Sequence, residues 1–175
     1  KVSVENSILD LAPGVSPATT ILRFATLFGI SPRMRFDLTV NQFAAEMLSK
    51  GYIEVYGEQF WRPYVHVRDA ARAILLILTS PVGNVMDQIF NVGNTQENYQ
   101  KQQLVELIQQ QIGSSAEISF VHREEDPRDY RVSFEKIYNT LGFQTTRTVE
   151  DGITEVIQAI KQRLIPNWED PRYHN

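Results

Sequence analysis

The segment QIFNVG at residues 88–93 does most to limit what this chain can fold into. Its apolar residues crowd successive positions instead of alternating, so a strand built from it needs cover on both faces. Such strands belong to parallel sheets with helices above and below. The surrounding segments agree. TTILRF (19–24) and EISFV (117–121) read as strands rich in β-branched and aromatic residues. Ile53 and Val55 alternate with charged and polar residues, the mark of a half-exposed strand, and PYVHV is a further short strand. Apolar residues at helical spacing fill 1–10, 36–50, 69–80, 101–112 and the stretch after Thr148. Strands alternating with helices predict an α/β fold, though not a clean βαβ repeat.

Local signals set the boundaries. Pro13 and Gly14 stop the first helix, and 12–18 reads as a loop. Gly51 closes the second helix, with Lys50 in its last turn where a cation suits the helix dipole. Asp69 is read as the N-cap of the 69–80 helix, whose Ala70, Ala73, Ile74, Ile77 and Leu78 are expected to face inward. Ser133 is read as capping a short helix that ends at Gly142. Thr148 and Asp151 form a capping box with Asp in place of the usual Glu or Gln. The polar, aromatic stretch 166–175 reads as a draped or loose tail.

Composition removes whole classes of function. The 175 residues, 42% apolar, suffice for one domain with a core. A net charge of −4 without a basic stripe argues against nucleic acid as a partner. No apolar run approaches membrane-spanning length, no secretory leader is recognisable, and cytoplasm is the expected compartment. The absence of cysteine excludes disulfides and thiolate chemistry. His66, His122 and His174 lack metal-ligand spacing, and no P-loop, nucleophile elbow or Gly-x-Gly-x-x-Gly run is present. Arginines beside strand and loop ends remain: Arg33, Arg35, Arg62 and Arg128. A guanidinium is suited to clamp a diphosphate bidentately, and equally to form a surface ion pair.

Taken in order, ILRFATLFGISPRMR, GEQFWRPYVHVRDAARA, FNVG, DPRDYRVSFEKI, LGF and TVEDGI resemble the C-terminal half of extended short-chain dehydrogenase/reductases. More narrowly, residues 1–162 are similar to nucleotide-sugar epimerases and dehydratases. KVSVE places Lys1 where that family has the lysine of a Tyr-x-x-x-Lys pair, and Glu5 where it has a following Glu. The resemblance implies that the tyrosine and the dinucleotide-binding half lie upstream of this sequence, and that the parent protein uses NAD or NADP. Lys1 would then touch the nicotinamide ribose and favour the ionised tyrosine.

By the same resemblance, Thr26 occupies a substrate-contacting position where many members have Asn. Arg33 belongs to the following loop, and Asn41 to a helix closing over the sugar diphosphate. The strand YIEVYG would bracket the base, with Val55 as packing surface and its backbone at the base edge, while Arg62 would bind the diphosphate and Arg128 the diphosphate or the nucleotide ribose. The implied architecture is the last Rossmann helix, a strand and the substrate loop in 1–30, then a substrate-binding region interleaved with remaining Rossmann elements in 31–165, then a tail in 166–175. The implied activity of the parent is epimerisation of a nucleotide-linked sugar through a keto intermediate, as a homodimer. A 4,6-dehydratase or ketoreductase is the alternative within the family. An isolated substrate-binding fragment without turnover is the alternative outside enzymology.

Overall fold

Four strand pairings, three parallel and one antiparallel, organise the protein in a computed structural model that describes residues 2–10, 18–113, 116–125 and 129–174. The elements run α1 (Val2–Asp10), β1 (Thr20–Phe24), β2 (Thr26–Phe28), α2 (Thr39–Lys50), β3 (Tyr52–Tyr56), β4 (Trp61–His66) and α3 (Val67–Thr79). They continue α4 (Val82–Val85), β5 (Gln88–Val92), β6 (Asn98–Gln100), α5 (Lys101–Ile112), β7 (Glu117–Val121), α6 (Glu135–Leu141) and α7 (Val149–Lys161). The fold is α/β with parallel strands. None of the described helices is long and apolar enough to cross a membrane.

β5, the strand that needs two covered faces, lies parallel to β1, with Leu22 opposite Phe90 and Phe24 opposite Val92. Only one of those faces is closed: Phe90 and Val92 are fully buried with Ala73 of α3, Ile137 of α6 and Phe143 just after it, while Ile89 and Asn91 on the other face are half-buried. The chain then changes partners. The Ala25 N–H still donates to the Val92 carbonyl at 3.1 Å, but from Thr26 onward the backbone pairs with β4. β2 and β4 are parallel, β4 and β6 antiparallel, and β3 and β7 form a separate parallel pair. Among the described residues β1 has a neighbour on one edge only.

The larger core lies between α2, α5 and α7 and the strands β2, β3 and β4. α5 buries Leu104, Val105 and Ile108, and α7 buries Ile153, Val156 and Ile157. The capping box of α7 forms as its sequence predicts. Thr148 Oγ1 accepts from the Asp151 N–H at 3.2 Å, and the Asp151 carboxylate accepts from the Thr148 N–H at 2.9 Å.

Several boundaries depart from expectation. α2 begins at Thr39 rather than at 36, because the backbone before it is committed elsewhere. The Arg35 carbonyl accepts from Asn41 Nδ2, and the Phe36 N–H donates to the Tyr173 carbonyl. His66, not Asp69, caps α3, its ring Nδ1 accepting from the Arg68 N–H at 3.2 Å. Asp69 is instead fully buried and accepts from the Thr146 and Arg147 N–H groups, from Thr146 Oγ1 and from Arg72. Ala70 and Ala73 of α3 are buried as expected, but Ile74, Leu75 and Leu78 face outward. The tail is not loose. Trp168 and Tyr173 pack edge-on against Phe36. The expected 12–18 loop lies almost entirely outside the described residues.

Candidate functional site

Strand alternation sorts the side chains of the β2–β4 pair onto two faces. Thr26 lies opposite Tyr64 and Phe28 opposite His66, so Thr26, Phe28, Arg62, Tyr64 and His66 share one face. Phe28 and Tyr64 accordingly belong to the large core, while Leu27 and Val65 pack on the other side with Ala25 and Phe134. Arg62 is 7% exposed, with Nη1 donating to the Trp61 carbonyl at 2.7 Å. A guanidinium largely stripped of water in this way holds its charge in a medium where an anion is attracted more strongly than at the surface. Beside it, burial pushes the Tyr64 phenol well above its ordinary pKa, so it stays neutral.

The far end of β4 fixes a turn. The Gly29 N–H donates to Asn41 Oδ1 at 3.0 Å, and Asn41 Nδ2 donates to the Arg35 carbonyl at 3.0 Å. Gly29 has φ +94°, and a Cβ there would fall 2.2 Å from His66 Nε2, so the turn needs glycine twice over. His66 itself is fully buried. Because its Nδ1 accepts from Arg68, Nε2 carries the proton and faces Glu155 Oε2 at 2.9 Å. The result is a cradle of about 100 Å³ lined by Gly29, Ser31, Arg33, Arg35 and Asn41, among others. Arg35 is paired with Asp37, whereas Arg33 forms no ion pair among the described residues.

A second cleft, of about 680 Å³, lies among α1, β1, β4 and β5. Val2, Glu5, Arg23, Phe24, Pro63, Asn91 and Tyr130 line it, together with Ala25, Val132 and other apolar groups. Glu5 and Arg23 are joined by a multidentate ion pair that fastens α1 to β1. Donating to the Glu5 carboxylate raises the Arg23 pKa. The segment after Arg128 docks here as well: the Trp61 N–H donates to Asp129 Oδ1 at 2.8 Å, and Arg131 lies over the Trp61 ring.

Lys1 and Arg128 lie outside the described residues. Val2, directly after Lys1, lines the cleft, and Asp129, directly after Arg128, contacts the strand that carries Arg62. Thr26 and Arg62 share a face. Arg33 and Asn41 meet at the turn beyond β2, about one strand length away. Asn41 is 3% exposed and both ends of its amide are engaged by backbone, so its evident work is shaping that turn. The Val55 side chain is fully buried in the larger core, which leaves only its backbone to meet a ligand. Sequence reasoning missed the His66–Glu155 contact, whose partners are 89 residues apart and share no motif. Any signal was limited to the inward position that helical spacing around Ile153 and Val156 gives neighbouring residues of α7.

Comparison with known proteins places this arrangement. The chain is 27% identical to UDP-glucuronic acid decarboxylase 1 of Xenopus tropicalis, over 82% of this chain and 34% of the relative. It is 26% identical to UDP-glucuronic acid decarboxylase 2 of Arabidopsis thaliana, over 97% of this chain and 38% of the relative. The crystal structure of UDP-glucose 4-epimerase from Thermotoga maritima, solved with UDP-glucose, superposes with a TM-score of 0.79 at 25% identity. That match covers 94% of this chain and 52% of the other. The chain thus spans little more than a third of these curated relatives and about half of this epimerase. It is homologous to nucleotide-sugar epimerases, dehydratases and decarboxylases. With the family model matching residues 1–93, more than half of the 175, this chain belongs to the NAD dependent epimerase/dehydratase family.

Proposed function

We propose that this chain is the substrate-binding part of a longer NAD(P)-dependent enzyme that epimerises a nucleotide-linked sugar through a keto intermediate. One observation carries the reading: in a member of this family, a 7%-exposed Arg62 shares a strand face with Thr26. A desolvated fork of donors beside a hydroxyl suits a diphosphate ester, which presents several acceptor oxygens. Arg62 binds the diphosphate, and Arg128 adds a second cation from the adjoining segment. Thr26 donates one hydrogen bond to the ligand, Arg33 supplies a further cation, and Asn41 holds the turn that presents it.

The sequence has no Gly-x-Gly-x-x-Gly turn, so the residues present do not form a dinucleotide cradle of their own. They offer one wall, the cleft lined from α1 and β1, a strand with one open edge among the described residues. In this proposal the parent's upstream half continues the sheet at that edge and holds NAD or NADP, which when bound accepts and returns hydride. Lys1 interacts with the nicotinamide ribose and favours the ionised form of an upstream tyrosine. The exposed Val2, Val4 and Ile8 of α1 are available to a second copy in a homodimer.

A second reading has its own support. The curated relatives named above are UDP-glucuronic acid decarboxylases. In that reading the keto sugar acid loses its carboxylate as CO₂ before the ketone is reduced. NMR of the parent protein incubated with UDP-glucose or UDP-glucuronic acid and NAD separates the two. Epimerisation gives a C4 epimer of unchanged mass, and decarboxylation gives a UDP-pentose and CO₂. Failure to convert any nucleotide sugar, with cofactor bound, would overturn both.

A further inference from the structure

The C-terminal segment makes contacts out of proportion to a tail. The Phe36 N–H donates to the Tyr173 carbonyl at 2.8 Å. The fully buried Phe36 ring meets Trp168 at 6.0 Å and Tyr173 at 5.9 Å, both edge-on. Lys50, in the last turn of α2, places Nζ 4.8 Å from the centre of the Trp168 ring and pairs with Glu169 at 3.0 Å. Asp170 caps the final 3₁₀ turn, Pro171–Tyr173, and a charged pair with Arg172 braces it. Arg172 hydrogen-bonding holds Asp170 well down, at a pKa of about 2, so the brace persists over the whole neutral range.

Phe36 is the last fixed point of the turn that carries Arg33 and Arg35. At its other end the turn is tied by Asn41 to Gly29 and Arg35. Asn41 closes the turn on itself, while Trp168 and Tyr173 fasten it to the body of the protein. We infer that residues 168–173 are a strap that positions the Arg33 turn for ligand binding, with Trp168 and Tyr173 as positioning residues. This rests on the reading of that turn as part of the nucleotide-sugar site. Without the strap, Phe36 loses both aromatic neighbours and its N–H partner, and Arg33 samples many positions before it reaches the ligand. The cost then appears in affinity, because the turn must be ordered on binding.

The test uses the full-length parent with Trp168→Ala, Trp168→Phe, Arg33→Ala and the Arg33→Ala/Trp168→Ala double variant. Hydrogen exchange reads the strap without reference to any ligand. Trp168→Ala is expected to speed exchange of the Gly29 and Phe36 amides about tenfold relative to Ile53 in β3, and Trp168→Phe to restore most of the protection. Equal exchange at those amides in Trp168→Ala would overturn the strap.

Calorimetric titration with UDP reads the coupling to the site. Trp168→Ala is expected to weaken UDP binding about tenfold, with no further loss when it is added to Arg33→Ala. Faster exchange with unchanged UDP affinity, or losses that simply add, would overturn the positioning role. Absence of UDP binding by the unchanged protein would overturn the nucleotide-sugar reading and, with it, the positioning role, while the exchange data would still decide whether the strap exists.

Discussion

Asp69 and Glu97 are both buried carboxylates, and they behave differently because their partners differ. Asp69 accepts from two backbone N–H groups, a hydroxyl and a guanidinium, so it fastens the 146–147 loop to α3. Asp69→Asn replaces an acceptor oxygen with a donor that faces other donors. A loss of about 3 kcal/mol in unfolding free energy is expected, read from urea denaturation. The Glu97 carboxylate accepts from the Val149 N–H at the start of α7, at 2.7 Å. Burial pushes its pKa above 4.5, against the pull of that hydrogen bond. A carboxyl whose pKa rises on folding binds protons more tightly when folded, so stability falls as pH climbs from 4.5 through the raised value. Glu97→Gln keeps an acceptor for Val149 and removes this slope. Urea midpoints followed upward from pH 4.5 are expected to decline less in the variant than in the unchanged protein. Identical slopes would count against a perturbed Glu97.

Among the elements, α7 does most to lock the site. Its Gly152 lies so close to Phe28 that a Cβ would sit 2.3 Å from the ring, and one turn later Glu155 reaches His66. Gly152→Ala is therefore expected to cost about 2 kcal/mol through displacement of the buried Phe28, with a lowered melting temperature as the readout. The helix and its capping box were legible in the sequence, because Thr148 and Asp151 act over three residues and the apolar period is regular. Gly51 and Gly142 likewise end α2 and α6 in left-handed conformation, as their positions suggested. What was not legible depends on contacts distant in sequence. The false start of α2 at 36 came from Phe36, which keeps the helical apolar spacing but spends its backbone on Tyr173. The cap of α3 was misplaced because Asp69 has the residue type of a cap, yet tertiary partners draw its carboxylate toward Thr146. The outward Ile74 and Leu78 of α3 show the same limit: spacing identifies an apolar face without saying what covers it.

For the whole molecule, the described residues form three strand groupings, and among them β1 has a neighbour on one edge only. A two-stranded sheet has little independent stability, and here residues of α3 and α6 cover the Phe90 and Val92 face of β5. In the proposal, an upstream continuation of the sheet holds the cofactor and β4 of this chain offers the face that binds the diphosphate. That division of labour is the central claim, and Arg62 is where it is most exposed to test. The most direct measurement is calorimetric titration of the parent protein with UDP and with uridine, repeated for Arg62→Ala and Arg62→Lys. The account predicts that UDP binds far more tightly than uridine, and that Arg62→Ala loses about 2 kcal/mol of UDP binding, roughly thirtyfold in Kd. Arg62→Lys is expected to fall between, because it keeps the charge without the fork. UDP affinity unchanged in a folded Arg62→Ala variant, or equal affinity for UDP and uridine in the unchanged protein, would contradict it.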